Sequence, residues 1–166
     1  MFIRKLLFHI KGYLVMFWYK FIYRSRLKLS GLPSVRKDLS VMIGKAGEVR
    51  IGKGCFFNNH CSINCEEAVS IGDNCLFGEG VKIYDSDHRF RNPNLLIKDQ
   101  GNKCASVTIG NNCWLGSNVI VLKGTTIGSN SVVGGGCVVS GHFPAGSIVK
   151  MKRKYEVEAR YTEIEG

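Results

Sequence analysis

Large apolar residues recur along this chain every six positions, a spacing that belongs neither to an α-helix nor to a plain strand. They fall at Ile51, Phe57 and Ile63, at Ile71, Phe77 and Ile83, and at Ile109, Leu115, Val121, Ile127, Val133 and Val139. The residue after the anchor is often glycine (Gly52, Gly72, Gly78, Gly110, Gly116, Gly128, Gly134). The fourth residue after it is usually small (Cys55, Cys61, Cys75, Val81, Cys113, Val119, Thr125, Ser131, Cys137). A strand alternates faces, and a corner needs glycine or a residue that tolerates left-handed backbone, so each step suits a short strand followed by a corner. Three steps close a triangular coil of about 18 residues, and stacked coils place each anchor above the next in one continuous core. The pattern therefore predicts an all-β chain wound as a parallel β-helix.

Three coils open with an additional apolar-x pair, Val49-Arg50, Val69-Ser70 and Val107-Thr108. From Ile71 the next coil is due near residues 89–91, yet the pattern resumes at Ile109, so residues 89–106 are predicted to be extruded as a loop. The first 30 residues follow another period. Ile3, Leu6, Leu7, Ile10, Leu14, Phe17, Trp18 and Phe21 form one apolar stripe at helical spacing, with charges on the remaining circumference. The longest uncharged run there, Gly12–Tyr19, is too short to span a bilayer. Two compatible roles suit this helix: a cap over the open end of the coil stack, and an interfacial element lying against anionic lipid through residues 2–24. The chain thus divides into a basic N-terminal helix over 1–30, a β-helix over 31–149 and a charged C-terminal tail over 150–166.

The formal charge is +10, but its location matters more than its size. Residues 1–37 hold nine Lys/Arg and no acid, residues 38–149 hold nine of each sign, and Lys150, Lys152, Arg153 and Lys154 cluster at the start of the tail. A neutral body excludes a nucleic-acid-binding surface on the β-helix. Apolar residues at 45% and charged residues at 22% exclude a disordered chain. The seven cysteines are odd in number and lack a C-x-x-C pair, so neither a disulfide framework nor a thiolate metal site is expected. Five of them occupy the small inward position, where cysteine is a compact apolar filler suited to a reducing compartment.

The repeat resembles that of the hexapeptide-repeat acyltransferases over residues 43–149. IGDNCLFGEGVKIYDSDH at 71–88, followed by the loop and then VTIGNNCWLGSNVIVLKGTTIGSNSVVGGGCVVS at 107–140, is similar to their galactoside, maltose and polysaccharide O-acetyltransferase branch. The resemblance implies a left-handed β-helix, a homotrimer, acetyl-CoA as co-substrate and acetyl transfer to a sugar hydroxyl, with no metal.

His88 stands where the regular pattern breaks into the loop, 17 residues after Ile71, the spacing at which this branch carries its catalytic histidine. A sugar hydroxyl is a poor nucleophile at neutral pH, whereas a free imidazole titrates at about 6.5 and can take the proton as the oxygen attacks a thioester. His9, His60 and His142 read as packed or solvated. Asp85 and Asp87 flank His88 and are candidates to orient its ring or to hold the acceptor, Asp85 being preferred because it is expected to project from a coil face. By the resemblance, Asn58 belongs to the acceptor surface, and Glu66 is a second candidate for the same surface. Trp114, Ser117 and Gly135 match positions that line the pantetheine channel. Two departures bear on the coenzyme: the family's usual Lys is absent from Val139–His142, and the usual Gly-x-Pro-Ala-Lys is replaced by the run from Lys150. Lys150, Lys152 and Arg153, with Lys154, are the cations that would meet the CoA phosphates instead.

These elements point to a cytoplasmic O-acetyltransferase, peripheral to the inner face of a membrane, acting on a sugar or lipid-linked saccharide in cell-surface polysaccharide synthesis. The alternatives are transfer to a small soluble acceptor, such as a free sugar, a nucleotide sugar, serine or an antibiotic, and a β-helical scaffold without catalysis.

Overall fold

Nearly every corner of the six-residue pattern is closed by a residue in the left-handed region. The computed structural model describes the backbone of residues 2–152 and the side chains of residues 12–152. Asp38, His60, Asn74, Asn112, Asn118 and Asn130 have φ between 52° and 60°, and Gly54, Gly80, Gly124, Gly136 and Gly146 take the equivalent positions. Short polar side chains tolerate this backbone where branched ones do not.

Between the corners, strands of two to four residues stack into three parallel sheets, one per face of a triangular prism. The chain is a left-handed parallel β-helix. The first face contains Leu27–Leu29, Glu48–Ile51, Ala68–Ile71, Val107–Ile109, Thr126–Ile127 and His142–Phe143. The second contains Ser34–Val35, Phe56–Phe57, Leu76–Phe77, Trp114–Leu115, Val132–Val133 and Ile148–Val149. The third contains Ser40–Ile43, Ser62–Cys65, Lys82–Tyr84, Ile120–Val121 and Val138–Val139. The register is that of the repeat: Ile51, Ile71, Ile109 and Ile127 are successive partners, as are Phe57, Phe77, Leu115 and Val133.

All twelve anchors are buried, and so are all nine small positions, including Thr125 and Ser131. Phe57 and Phe77 lie face to face with centroids 4.5 Å apart and planes 3° from parallel. The corner cysteines do more than fill space. The thiols of Cys55, Cys75 and Cys113 donate to the carbonyls of Gly72, Gly110 and Gly128 on the next coil at 3.1, 3.1 and 3.2 Å, linking coils through the core. Glycine is required where corners nest: a Cβ on Gly116 would lie 2.6 Å from the Gly135 nitrogen of the following coil.

The first coil, with inward residues Leu27, Leu29, Val35 and Val41, begins within the segment assigned to the N-terminal helix. Its three six-spaced anchors, Leu29, Val35 and Val41, escape the sequence pattern for two reasons. Pro33 and Leu39 stand at the usually small positions, and the wide corner Gly44–Gly47 shifts the phase before Ile51.

The helix Phe2–Tyr23 caps this first coil, but not with the stripe the sequence suggested. Gly12 and Met16 are buried, and a Cβ on Gly12 would lie 2.5 Å from the Val35 carbonyl oxygen. Tyr19 and Tyr23 donate their hydroxyls to the Leu39 and Val41 carbonyls at 3.1 and 3.0 Å. Leu14, Phe17, Trp18 and Phe21 instead face solvent, Phe17 at 71% exposure. The side chains of Ile3, Leu6, Leu7, His9 and Ile10 lie outside the described residues. No helix among the described residues is long and apolar enough to cross a membrane.

Candidate active site

The chain leaves the prism at the corner after the third face. Tyr84 ends the strand, and Ser86–His88 pairs antiparallel with Asn102–Cys104 to form a two-stranded ribbon that carries the extruded loop. Asp87 lies opposite Lys103 and His88 opposite Asn102. The Arg89 amide donates to the Gly101 carbonyl at 2.9 Å, and its Nε donates to the Asn102 carbonyl at 3.1 Å. Gln100 clasps the loop from inside, accepting the Asn92 N–H and donating to the Asn92 and Leu95 carbonyls at 2.9–3.0 Å.

His88 is exposed on this ribbon and borders a cleft of about 780 Å³ between the loop and the fourth coil. Lys123, from the corner of the coil that follows the loop, reaches the same cleft and donates to the Asp87 carboxylate at 2.7 Å. Sequence reasoning missed Lys123. The repeat register held the signal, because Ile83 pairs with Val121 and the residue two beyond each marks the same corner.

The two acids beside His88 have other partners. Asp85 does not project from a coil face: it is fully buried, and its two oxygens accept the Glu66 and Glu67 amides, each at 2.8 Å. Its backbone carbonyl accepts the Ala105 amide, so one residue ties the preceding corner to the returning end of the loop. The expectation that Asp85 binds the acceptor is corrected on this geometry. Asp87 is exposed but committed to Lys123, so neither carboxylate orients the imidazole. Glu66 shares this corner and is exposed.

The remaining candidates lie on a different edge of the prism, the corner after the second face. Asn58, Ser117, Gly135 and Lys150 follow that face on successive or near-successive coils, and Trp114 stands on the face itself at 54% exposure. The Asn58 oxygen accepts the Asn59 amide at 2.9 Å and an Arg36 N–H at 3.4 Å. Ser117 and Gly135 are exposed, and neither backbone N–H has an acceptor among the described residues. Lys150 stacks over Gly134 at the end of the same edge, Lys152 is exposed, and Arg153 and Lys154 lie outside the described residues. The chain alone thus separates His88, Asp87, Glu66 and Lys123 from Asn58, Trp114, Ser117, Gly135 and Lys150.

Six of the seven cysteines are buried and Cys104 is partly exposed, and the hydrogen bond with Cys75 draws the Cys55 thiol down. Burial pushes the Cys61 and Cys113 thiols up, and burial together with the neighbouring Asp85 carboxylate pushes Cys65 up to about 12. A thiol held protonated in the core is a poor nucleophile.

The "Bacterial transferase hexapeptide (six repeats)" family model matches residues 106–141, and the "Hexapeptide repeat of succinyl-transferase" model matches residues 64–83. The Escherichia coli (strain K12) protein WbbJ, assigned as an O-acetyl transferase of lipopolysaccharide biosynthesis, is 32% identical over 131 residues, covering 68% of this chain and 67% of that protein. The chain belongs to the hexapeptide-repeat acyltransferase family. The galactoside O-acetyltransferase of the same organism is 34% identical over 104 residues, covering 63% of this chain and 50% of that one. A galactoside acetyltransferase solved in complex with coenzyme A superposes with a TM-score of 0.62 at 24% identity, covering 84% of this chain and 74% of that one. The chain spans 37–67% of the length of these and other curated relatives it matches. What these comparisons share with this chain is the repeat and the β-helix.

Proposed function

We propose that this hexapeptide-repeat protein transfers an acetyl group from acetyl-CoA to a saccharide hydroxyl, with His88 as general base, in the assembly of a cell-surface polysaccharide. The observation that carries this reading is the separation of two half-sites onto two edges of one prism, because a second copy set against the first would bring an imidazole edge to a backbone-amide edge. The outward column of the second face, Ser34, Phe56, Leu76, Trp114, Val132 and Ile148, is apolar at every position after the first, whereas that of the first face, Lys28, Arg50, Ser70, Thr108, Thr126 and His142, is wholly polar. An exposed apolar column of this kind marks a subunit interface, and the homotrimer is the assembly we assign to it.

In this arrangement the pantetheine arm lies along the edge of Ser117 and Gly135, whose free N–H groups bond its amides, and Lys150 and Lys152 meet the phosphates at the end. The acceptor lies against His88, Asp87, Glu66 and the neighbouring copy's Asn58. The neutral imidazole takes the hydroxyl proton as the oxygen attacks the thioester carbonyl. The tetrahedral oxyanion is held by hydrogen-bond donors and collapses, expelling the CoA thiolate, which receives the proton. The products are the O-acetyl ester and CoA. No acyl-enzyme forms, in keeping with the burial of six of the seven thiols and with a cleft that no cysteine lines.

The same reading places the protein in the cytoplasm at a membrane surface. Leu14, Phe17, Trp18 and Phe21 expose one apolar helical stripe, and residues 1–37 carry nine cations and no anion. Burying each such side chain contributes about 1.5–3 kcal/mol, and each nearby cation adds about 1 kcal/mol against anionic lipid. Trp18 emission should shift to the blue with phosphatidylglycerol vesicles and remain unchanged with neutral ones.

The functional test is acetyl-CoA consumption by the purified protein against a panel of oligosaccharides, nucleotide sugars and free sugars. Turnover with saccharides supports the reading. Turnover only with a non-saccharide acceptor, or failure to bind acetyl-CoA, contradicts it.

A further inference from the structure

The body of the chain is electrically neutral, yet its charges are not evenly placed. Of the nine cations in residues 38–149, four line the cleft beside His88: Arg89, Arg91, Lys103 and Lys123. Of the nine acids, only Asp87 lines it, and Lys123 already holds that carboxylate. Arg89, Arg91 and Lys103 have no carboxylate partner among the described residues.

The neutral polar groups of the cleft are largely committed elsewhere. The Gln100 amide makes three hydrogen bonds inside the loop, and the Asn92 side-chain oxygen accepts the Asn94 amide at 3.0 Å. What remains to meet a ligand is the imidazole of His88, the Asn92 side-chain NH₂ and a group of cations. The Arg89 guanidinium is fixed by its Nε hydrogen bond to the Asn102 carbonyl, which leaves its terminal N–H groups as a planar donor pair. A neutral sugar offers such groups little, whereas a phosphate or carboxylate accepts bidentate, charge-assisted hydrogen bonds from them. Cations grouped in a cleft also raise the local concentration of an anionic ligand.

We infer that the acceptor presented to His88 is an anionic saccharide, bearing a phosphate or a carboxylate that Arg89, Arg91 and Lys103 hold while a hydroxyl faces the imidazole. This rests on the transferase reading above and narrows its substrate class.

The test compares binding of glucose 1-phosphate, glucuronate and glucose to the wild-type protein and to the Arg91→Gln/Lys103→Gln double variant, by calorimetry at low and high salt. Both substituted residues are exposed, and circular dichroism verifies the fold. At least one anionic sugar should bind about tenfold or more tightly than glucose, with salt weakening it, and the double variant should lose most of that preference. Preference for glucose 1-phosphate alone identifies a phosphate and preference for glucuronate alone a carboxylate, each in support. Equal binding of all three sugars overturns the inference. So does a double variant that loses affinity for acetyl-CoA rather than for the sugar, since the cations would then serve the donor. Anionic-sugar binding without acetyl-CoA binding would refute the transferase reading and leave the cleft an anionic-saccharide site.

Discussion

Replacing Asp85 by alanine separates a structural carboxylate from a substrate-binding one. In the fold its two oxygens accept the amides of Glu66 and Glu67 at 2.8 Å each, and its side chain is wholly buried. Hydrogen bonds to a charged group contribute about 1.5–3 kcal/mol each, and the lower figure applies here because Glu66 and Glu67 are themselves exposed and water can reach their corner. Asp85→Ala should therefore cost about 3 kcal/mol. Asp85→Asn retains one acceptor oxygen and turns an NH₂ toward the second amide, so it should cost about half as much or slightly more. Urea unfolding followed by far-ultraviolet circular dichroism at fixed protein concentration measures both, and an unchanged m-value would show that the unfolded reference is unaltered. A loss below about 0.5 kcal/mol in Asp85→Ala would refute the structural role. Full stability combined with a raised KM for the acceptor would return Asp85 to the substrate surface.

Two further outcomes follow from the core. Six of the seven cysteines are buried, so a thiol reagent should label about one equivalent rapidly in the native protein, at Cys104, and all seven after denaturation; rapid labelling of several would contradict the cysteine column. Phe77→Ala removes the stack on Phe57 and should lower stability by about 3–5 kcal/mol in the same urea assay, whereas a loss under 1 kcal/mol would show that those rings are not packed as described.

The six-residue spacing made the β-helix legible because each anchor packs on the next coil's anchor, so the core repeats the sequence pattern directly. The first coil escaped because Leu29, Val35 and Val41 keep the spacing while Pro33, Leu39 and the wide corner at Gly44–Gly47 disguise it. Periodicity located the helix but not which side of it packs, since Gly12, Met16, Tyr19 and Tyr23 form a stripe as regular as the more apolar one that faces solvent. The position of His88 on the ribbon that carries the extruded loop was legible from the break in the repeat. The role of Asp85 was not, because an aspartate at the end of a coil looks the same whether its carboxylate turns outward or inward onto neighbouring amides. Lys123 is distant from His88 in sequence and adjacent only through the register that the extruded loop interrupts.

Most direct for the central claim is the turnover of acetyl-CoA by His88→Ala, measured beside its equilibrium Kd for acetyl-CoA. General-base catalysis accounts for about 10²- to 10⁴-fold in rate, so turnover should fall by that factor while the Kd stays within about twofold, the coenzyme edge being remote from His88 in the chain. Turnover equal to that of the wild type would contradict the assignment of the base, and a large rise in Kd would place His88 with the coenzyme rather than with the acceptor.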